Sequence, residues 1–483
     1  MLLARIERDP DQLDRLGRFV LWAGFGIALI LLLVGSVTMA EGIWPVPVLL
    51  AASLVGLALF AREGSNLWIT IALFVLILDY EAGLQLTEVV YGLYFAAFLG
   101  LWYGKRFYIG GNRFITDPVD LAVAAYLMIA LASVTWAVFF GAKPKVIAGE
   151  MLVLLMMAFY FPVKEACARN PERALKALVL VVAWLGVFVF LRNALTYRSA
   201  LASAEQLYEI TKGRVALNEV LQLVPALGAL VFFLFSDQRR DKLVALALFL
   251  VFFIGTIITQ SRGYWAAFGV GAIVLFLLIE NRHRLRLIVL GATGVLSVLV
   301  LGFLFFPGII DLIVAGLVGR LLSLSTSFTD DISMVNRMYE TAAVWNNIKV
   351  NPILGYGIGT EFDYFSLIED KTARYAFVHN AYAGVWYKYG IIGITAVLVL
   401  LVRGIVLGTR LFRSAGASPL VRSVGLIVAI CLIAEMLVAN TSNPFLIADG
   451  TLIIAVLAAA AAGCTEYIRR TDPIPATTPE TDG

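Results

Sequence analysis

The chain has 483 residues, 61% of them hydrophobic and 15% charged, with a formal net charge of +3 and a mean hydropathy of +0.89. A soluble domain is about half apolar and about a quarter charged, so this composition excludes a soluble globular protein and describes a polytopic integral membrane protein. The small net charge gives no sign of nucleic-acid binding, and the three cysteines, Cys167, Cys431 and Cys464, have neither metal-ligand nor redox spacing.

Residues 1–18 form an Arg-rich cytoplasmic segment. They lead into an apolar stretch from about Phe19 to Ala40, which reads as an uncleaved signal anchor because it is long enough to span. Further apolar segments begin near Ile43, Leu67, Val89, Val119, Val146, Leu175, Val215, Leu243, Tyr264 and Leu285, and then near Ile391, Ser423 and Leu446. Since a span needs roughly 20 apolar residues, they predict an all-α bundle of about 12–14 transmembrane helices. About eleven spans fall in 19–306, a large polar loop covers 307–390, three more spans lie in 391–465, and 466–483 is a disordered cytoplasmic tail.

Lys and Arg fall in alternate short loops: Lys105, Arg106 and Arg113; Arg239, Arg240 and Lys242; Arg282, Arg284 and Arg286; Arg410, Arg413 and Arg422. The positive-inside bias places these loops, and both termini, in the cytoplasm. Residues 192–214, 260–263, 307–380 and 440–444 then lie on the outer face, where there is no ATP. Glu150, Arg192, Arg214, Glu219, Arg262, Glu435 and Asp449 stand at the outer ends of apolar spans. Charges at membrane depth usually face a bundle interior or a water-filled cavity, so this set predicts an outward-open polar pocket.

Arg214, Asn218 and Gln222 recur every four residues and share one helix face, and Thr259–Gly263 is a polar hairpin between two apolar spans. In the large loop, Asp330 and Asp331 precede a run with Ile332, Val335, Met338, Ala342, Trp345 and Ile348 at helical spacing. The spacing predicts a helix over 331–350 lying on the membrane face, capped by Asp and stopped by Pro352, with Arg337 and Glu340 on its polar side. Capping accounts for the two aspartates without a metal ion. The run Asn351-Pro352-Ile353-Leu354-Gly355-Tyr356-Gly357-Ile358-Gly359 lacks the Lys-Ser/Thr of a P-loop and reads as a tight, irregular turn that lets backbone approach another element or a ligand.

A polar stretch, 361–375, then leads to His379, one of only two histidines. An imidazole at the membrane surface is the natural group for proton transfer near neutral pH. Tyr382, Trp386 and Tyr387 follow it as an interfacial aromatic collar. The other histidine, His283, lies between Arg282 and Arg284 and reads as topogenic.

Gly213-Arg214, Ser261-Arg262-Gly263, Arg337 before Trp345, the Asn351-Pro352-x-x-Gly355-x-Gly357 turn and His379-Asn380 before Gly390-Ile391-Ile392-Gly393 form a series. It resembles the O-antigen ligase and O-antigen polymerase superfamily over residues 211–393. The resemblance implies a C-type glycosyltransferase-like bundle in a bacterial inner membrane, with its cavity open to the periplasm. The donor would be a glycan on undecaprenyl diphosphate and the acceptor a lipid A core sugar, another lipid-linked glycan or a protein hydroxyl. Membrane lipids, and other envelope polysaccharide assembly proteins, would be partners. No metal and no other cofactor is implied.

On this reading His379 is the general base and Arg214 and Arg262 stabilise the diphosphate, since a guanidinium pairs with phosphate oxygens and stays charged. Arg337, Asn380, Tyr382 and Asn218 are expected to contact substrate. Direct attack would invert the anomeric carbon. The other readings are a repeat-unit polymerase of the same superfamily and a transporter or flippase.

Overall fold

A computed structural model describes residues 63–78, 86–108, 114–203, 217–305 and 332–471. The segments expected near Phe19 and Ile43, together with Arg214, Asp330 and Asp331, lie outside the described residues. Among the described residues the chain is almost entirely helical, and seven helices are long and apolar enough to cross a membrane. The architecture is an all-α polytopic membrane protein.

Two compact units are present, one comprising 1–114 with 176–185 and the other 115–175 with 186–483. In the first, α1 (Glu63–Ala72) passes through a 3-10 turn (Leu73–Ile77) towards α2 (Leu86–Tyr108). Tyr91 of α2 meets Phe74 of the 3-10 turn edge-on at 6.1 Å, and within α2 it stacks on Phe95 at 5.9 Å.

The second unit carries every described residue discussed below. Its helices are α3 (Pro118–Ala137), α4 (Pro144–Leu155), α5 (Tyr160–Arg169), and α6 (Pro171–Ser203), whose residues 176–185 belong to the first unit. Then come α7 (Val220–Phe235), α8 (Arg239–Ile258), α9 (Arg262–Leu278), α10 (Asn281–Phe305) and α11 (Ile332–Val350). The strands β1 (Phe362–Ser366) and β2 (Lys371–Tyr375) precede α12 (Ala381–Arg413), α13 (Pro419–Val438) and α14 (Ala448–Thr471). Proline at the first helical position starts several of these, because its missing N–H has no intrahelical partner there anyway. Asp117 caps α3 through a full capping box with Asp120, and Ser418 caps α13.

The core is α14 and α13, buried almost throughout. Small residues let backbones touch: a Cβ on Gly408 of α12 would stand 2.6 Å from the Gly425 carbonyl of α13. At the end of the bundle where α3 begins, polar groups are paired. Lys164 reaches Asp120 at 2.6 Å and Glu466 at 3.1 Å, Tyr160 donates to Asp120 at 2.7 Å, and Arg403 pairs with Asp117 at 3.1 Å. Burial raises the Asp117 carboxyl, but Arg403 beside it more than offsets this and holds it below the ordinary carboxylate range.

At the opposite end α12 is not one helix. It begins at Ala381, ten residues before the apolar run, and breaks at Gly390 (φ 62°, ψ −161°). The break frees the Tyr387 and Lys388 carbonyls, which accept the Tyr356 and Gly357 N–H groups at 2.8 Å each. Ile391 N–H in turn donates to the Ile353 carbonyl at 3.1 Å. The glycine-rich turn therefore docks on the break, as its composition suggested. Gly355 (φ 69°) leaves no room for a side chain, since a Cβ would lie 2.6 Å from the Tyr387 carbonyl. Beneath the turn, buried Lys388 reaches Glu150 at 2.6 Å, and Glu150 accepts the Gly359 N–H at 2.8 Å.

Gly390→Ala is expected to destabilise the protein by about 1–3 kcal/mol, through strain at positive φ and collision with the Ile353 carbonyl. Thermal unfolding in detergent measures it. An unchanged midpoint would mean that the turn does not clamp the break.

Candidate active site

Helix α11 presents two faces. Asn336, Glu340, Val344 and Ile348 form its buried stripe, while Ile332, Met338 and Trp345 are exposed. The expected polar side is thus only partly solvated: Glu340 is 1% exposed. Val344 and Ile348 pack with Phe362, Tyr364, Val378, Ala383 and Tyr387, and each such burial contributes about 1.5–3 kcal/mol. This cluster joins α11 to the first turns of α12 through β1. The stretch read as polar loop is an antiparallel hairpin, with Phe362 opposite Tyr375 and Ser366 opposite Lys371. Asn336 holds it to α11 by accepting the Leu367 N–H at 2.7 Å and donating to the Tyr364 hydroxyl at 3.2 Å. Burial raises the Tyr364 phenol above its ordinary range, so it remains a neutral hydroxyl.

His379 stands two residues before α12. Its backbone N–H donates to Glu340 Oε1 at 2.5 Å, and its Nδ1 is 2.8 Å from Glu340 Oε2. Phe377 meets the imidazole edge-on at 5.0 Å, and the side chain is 37% exposed. Asn380 is the N-cap of α12, its side-chain oxygen accepting the Ala383 N–H at 3.0 Å.

The turn between α13 and α14 is the hub of the site. The carbonyl of Ala439, the C-cap of α13, accepts the Ala381 N–H at 2.8 Å, and that of Met436 accepts the Tyr382 hydroxyl at 2.9 Å. The Thr441 carbonyl accepts Arg337 Nη1 at 2.7 Å, and Asn443 donates to the Val378 carbonyl at 2.9 Å. Arg262 opens α9, and a Cβ on the next residue, Gly263, would lie 2.7 Å from Thr441 Oγ1. His379, Arg337 and the Arg262 hairpin, set far apart in sequence, thus converge on one helix end.

Asn218 belongs to an adjoining cluster. Held at φ 59°, it accepts from Arg192 at 2.7 Å and donates to Asp449, at the start of α14, at 3.1 Å. Of the charges expected around an outward-open polar pocket, Glu150, Arg192 and Arg262 are partly exposed, whereas Glu219, Glu435 and Asp449 are buried. Gln222 likewise turns inward, donating to the Gly186 carbonyl at 2.8 Å. Among the described residues no group of three His, Cys, Asp or Glu side chains is placed to hold a metal ion.

Residues 246–398 match the family model for O-antigen ligase. This segment is similar to the O-antigen ligase family. It runs from within α8 into α12, and so contains Arg262, Arg337, Glu340, His379, Asn380 and Tyr382. Asn218 and the α13–α14 turn that completes the site lie outside it. No curated protein matches the chain. The match supports, at family level, an O-antigen ligase-like membrane glycosyltransferase.

Sequence reading missed Glu340 as a partner of His379. The available signal was its place on α11 four residues from both Asn336 and Val344, on a stripe that turns inward.

The Gly263→Cys/Thr441→Cys pair tests the convergence. The Gly263 Cβ position lies 3.8 Å from the Thr441 Cβ, the mean separation in disulfides. Mild oxidation is expected to cross-link the pair, read as loss of maleimide labelling, while the native cysteines are buried. Two thiols that stay free under oxidant would contradict the placement of α9 against the turn.

Proposed function

We propose that the protein transfers a glycan from undecaprenyl diphosphate to an acceptor hydroxyl at the periplasmic face of a bacterial inner membrane, with both termini cytoplasmic. The observation that carries this reading is the convergence of His379, Arg337 and the Arg262 hairpin on the α13–α14 turn. The family match supports the reaction class, and the charge distribution of the loops supports the orientation.

In this reaction the acceptor oxygen attacks the anomeric carbon as its proton passes to His379. The bond from that carbon to the diphosphate oxygen breaks, and undecaprenyl diphosphate leaves with the electron pair. One displacement inverts the configuration. A glycosyl diphosphate already carries a good leaving group, so the main task is to stabilise charge that develops on the diphosphate. Arg262 and Arg337 do this with Arg214, whose guanidinium is assigned the same role from sequence. Asn380 and Tyr382 act by fixing the end of α12, and Asn218 by holding Arg192 beside Asp449.

Reconstituted enzyme with undecaprenyl-diphosphate glycan and an acceptor gives the test, with transfer and donor binding scored separately. His379→Ala is expected to lower turnover by about 10²–10⁴-fold with donor binding retained. Arg262→Ala weakens donor binding and transfer together, and Arg262→Lys restores only part, because an ammonium lacks the bidentate fork. Near-normal turnover in His379→Ala would remove the mechanism.

A further inference from the structure

We infer that Glu340 is a positioning residue that holds His379 in the tautomer with the proton on Nδ1 and Nε2 bare, so that Nε2 can take the acceptor's proton. The inference rests on the glycosyl-transfer reading for its purpose, but its geometry stands independently.

Both carboxylate oxygens of Glu340 face the same residue. Oε1 takes the His379 main-chain N–H at 2.5 Å and Oε2 lies 2.8 Å from the ring. A main-chain N–H can only donate, so it fixes Oε1 as an acceptor and fixes the carboxyl plane. Oε2 then meets Nδ1, and a hydrogen bond there needs one proton between them. An imidazole is ordinarily more basic than a carboxylic acid, so that proton belongs to the ring and Nδ1 is the donor. Neutral imidazole carries one N–H, which leaves Nε2 as an acceptor.

The surroundings favour a fixed carboxylate. Glu340 is 1% exposed, and a buried carboxylate demands donors on its oxygens. Asn336, one turn earlier, is engaged with the Leu367 N–H and the Tyr364 hydroxyl. Phe377 packs edge-on against the imidazole and limits ring rotation. The imidazole keeps an exposed edge while the carboxylate does not.

Glutamine at 340 makes the argument testable because it has one acceptor oxygen where glutamate has two. If that oxygen serves the main-chain N–H, the amide NH₂ faces Nδ1 and requires it to be bare. The ring proton then moves to Nε2, the position needed for base catalysis. If the oxygen serves Nδ1 instead, two donors face each other at the backbone. Glu340→Gln is nearly isosteric, so its effect is electronic rather than a change of packing.

The test uses the full-length protein in lipid nanodiscs, labelled with ¹⁵N-histidine, in a His283→Asn background that leaves one imidazole. The wild-type spectrum needs no donor or acceptor and is expected to show Nδ1 protonated and Nε2 bare. Glu340→Gln is expected to reverse the two nitrogens and to lower kcat for glycan transfer by at least about 10²-fold, with KM for the donor changed by less than about threefold.

A wild-type Nε2–H signal overturns the inference outright. So does a Glu340→Gln enzyme that keeps its tautomer, or one that keeps wild-type kcat after the tautomer reverses. If wild type transfers no glycan, the functional reading fails, and the wild-type spectrum still decides the Glu340–His379 geometry.

Discussion

The hydrogen bond from the Ala381 N–H to the Ala439 carbonyl sets the geometry of the whole site. Every helix ends with carbonyls that lack an intrahelical partner and begins with N–H groups in the same position. Where they are buried away from water such groups are costly to leave unmade. Here the C-terminus of α13 and the N-terminus of α12 satisfy each other. The remaining carbonyls of that end are taken as well: Met436 by Tyr382, Val438 by the Thr441 and Ser442 N–H groups, and Thr441 by Arg337. His379 is placed because the backbone two residues further on is fixed to another helix.

The break at Gly390 extends the same logic. Ending the first segment of α12 there exposes new carbonyls, and the glycine-rich turn supplies their donors. The short segment from Ala381 to Tyr389 is thus held at both ends, by α13 at one and by the turn at the other. Buried Lys388 with Glu150 ties it to α4. An imidazole borne on so constrained a segment needs only its own orientation fixed, and Glu340 on α11 contacts it from the remaining side.

Much of this fold was legible in the sequence because a bilayer imposes a length and a composition on whatever crosses it. Helix α11 was legible too, from the spacing of Ile332, Met338 and Trp345 and from Pro352 beyond its end. The rest was hidden for physical reasons. Glu340 sits on the polar arc of an amphipathic helix, where a carboxylate ordinarily reads as solvated, and its partner is 39 residues away. The β1–β2 hairpin was obscured by the charged residues around it, although Phe362, Tyr364 and Ser366 alternate inward with period two. The true start of α12 was masked because Gly390 separates a short, mixed segment from the apolar run. His379, Arg262 and Arg337 were singled out from residue type and flanking motif, but the place where the fold brings their elements together was not. That place is a helix end in α13, which carries no chemistry of its own.

The most direct measurement is a structure of the protein in lipid with an undecaprenyl-diphosphate glycan made unreactive by replacing the anomeric oxygen with a methylene. The diphosphate is expected within hydrogen-bond distance of Arg262 and Arg337, with the anomeric carbon on the Nε2 side of His379. A diphosphate bound elsewhere, for example at the opposite end of the bundle beside Arg410 and Arg413, with His379 facing no sugar, would contradict the assignment of the α13–α14 turn as the site of glycan transfer.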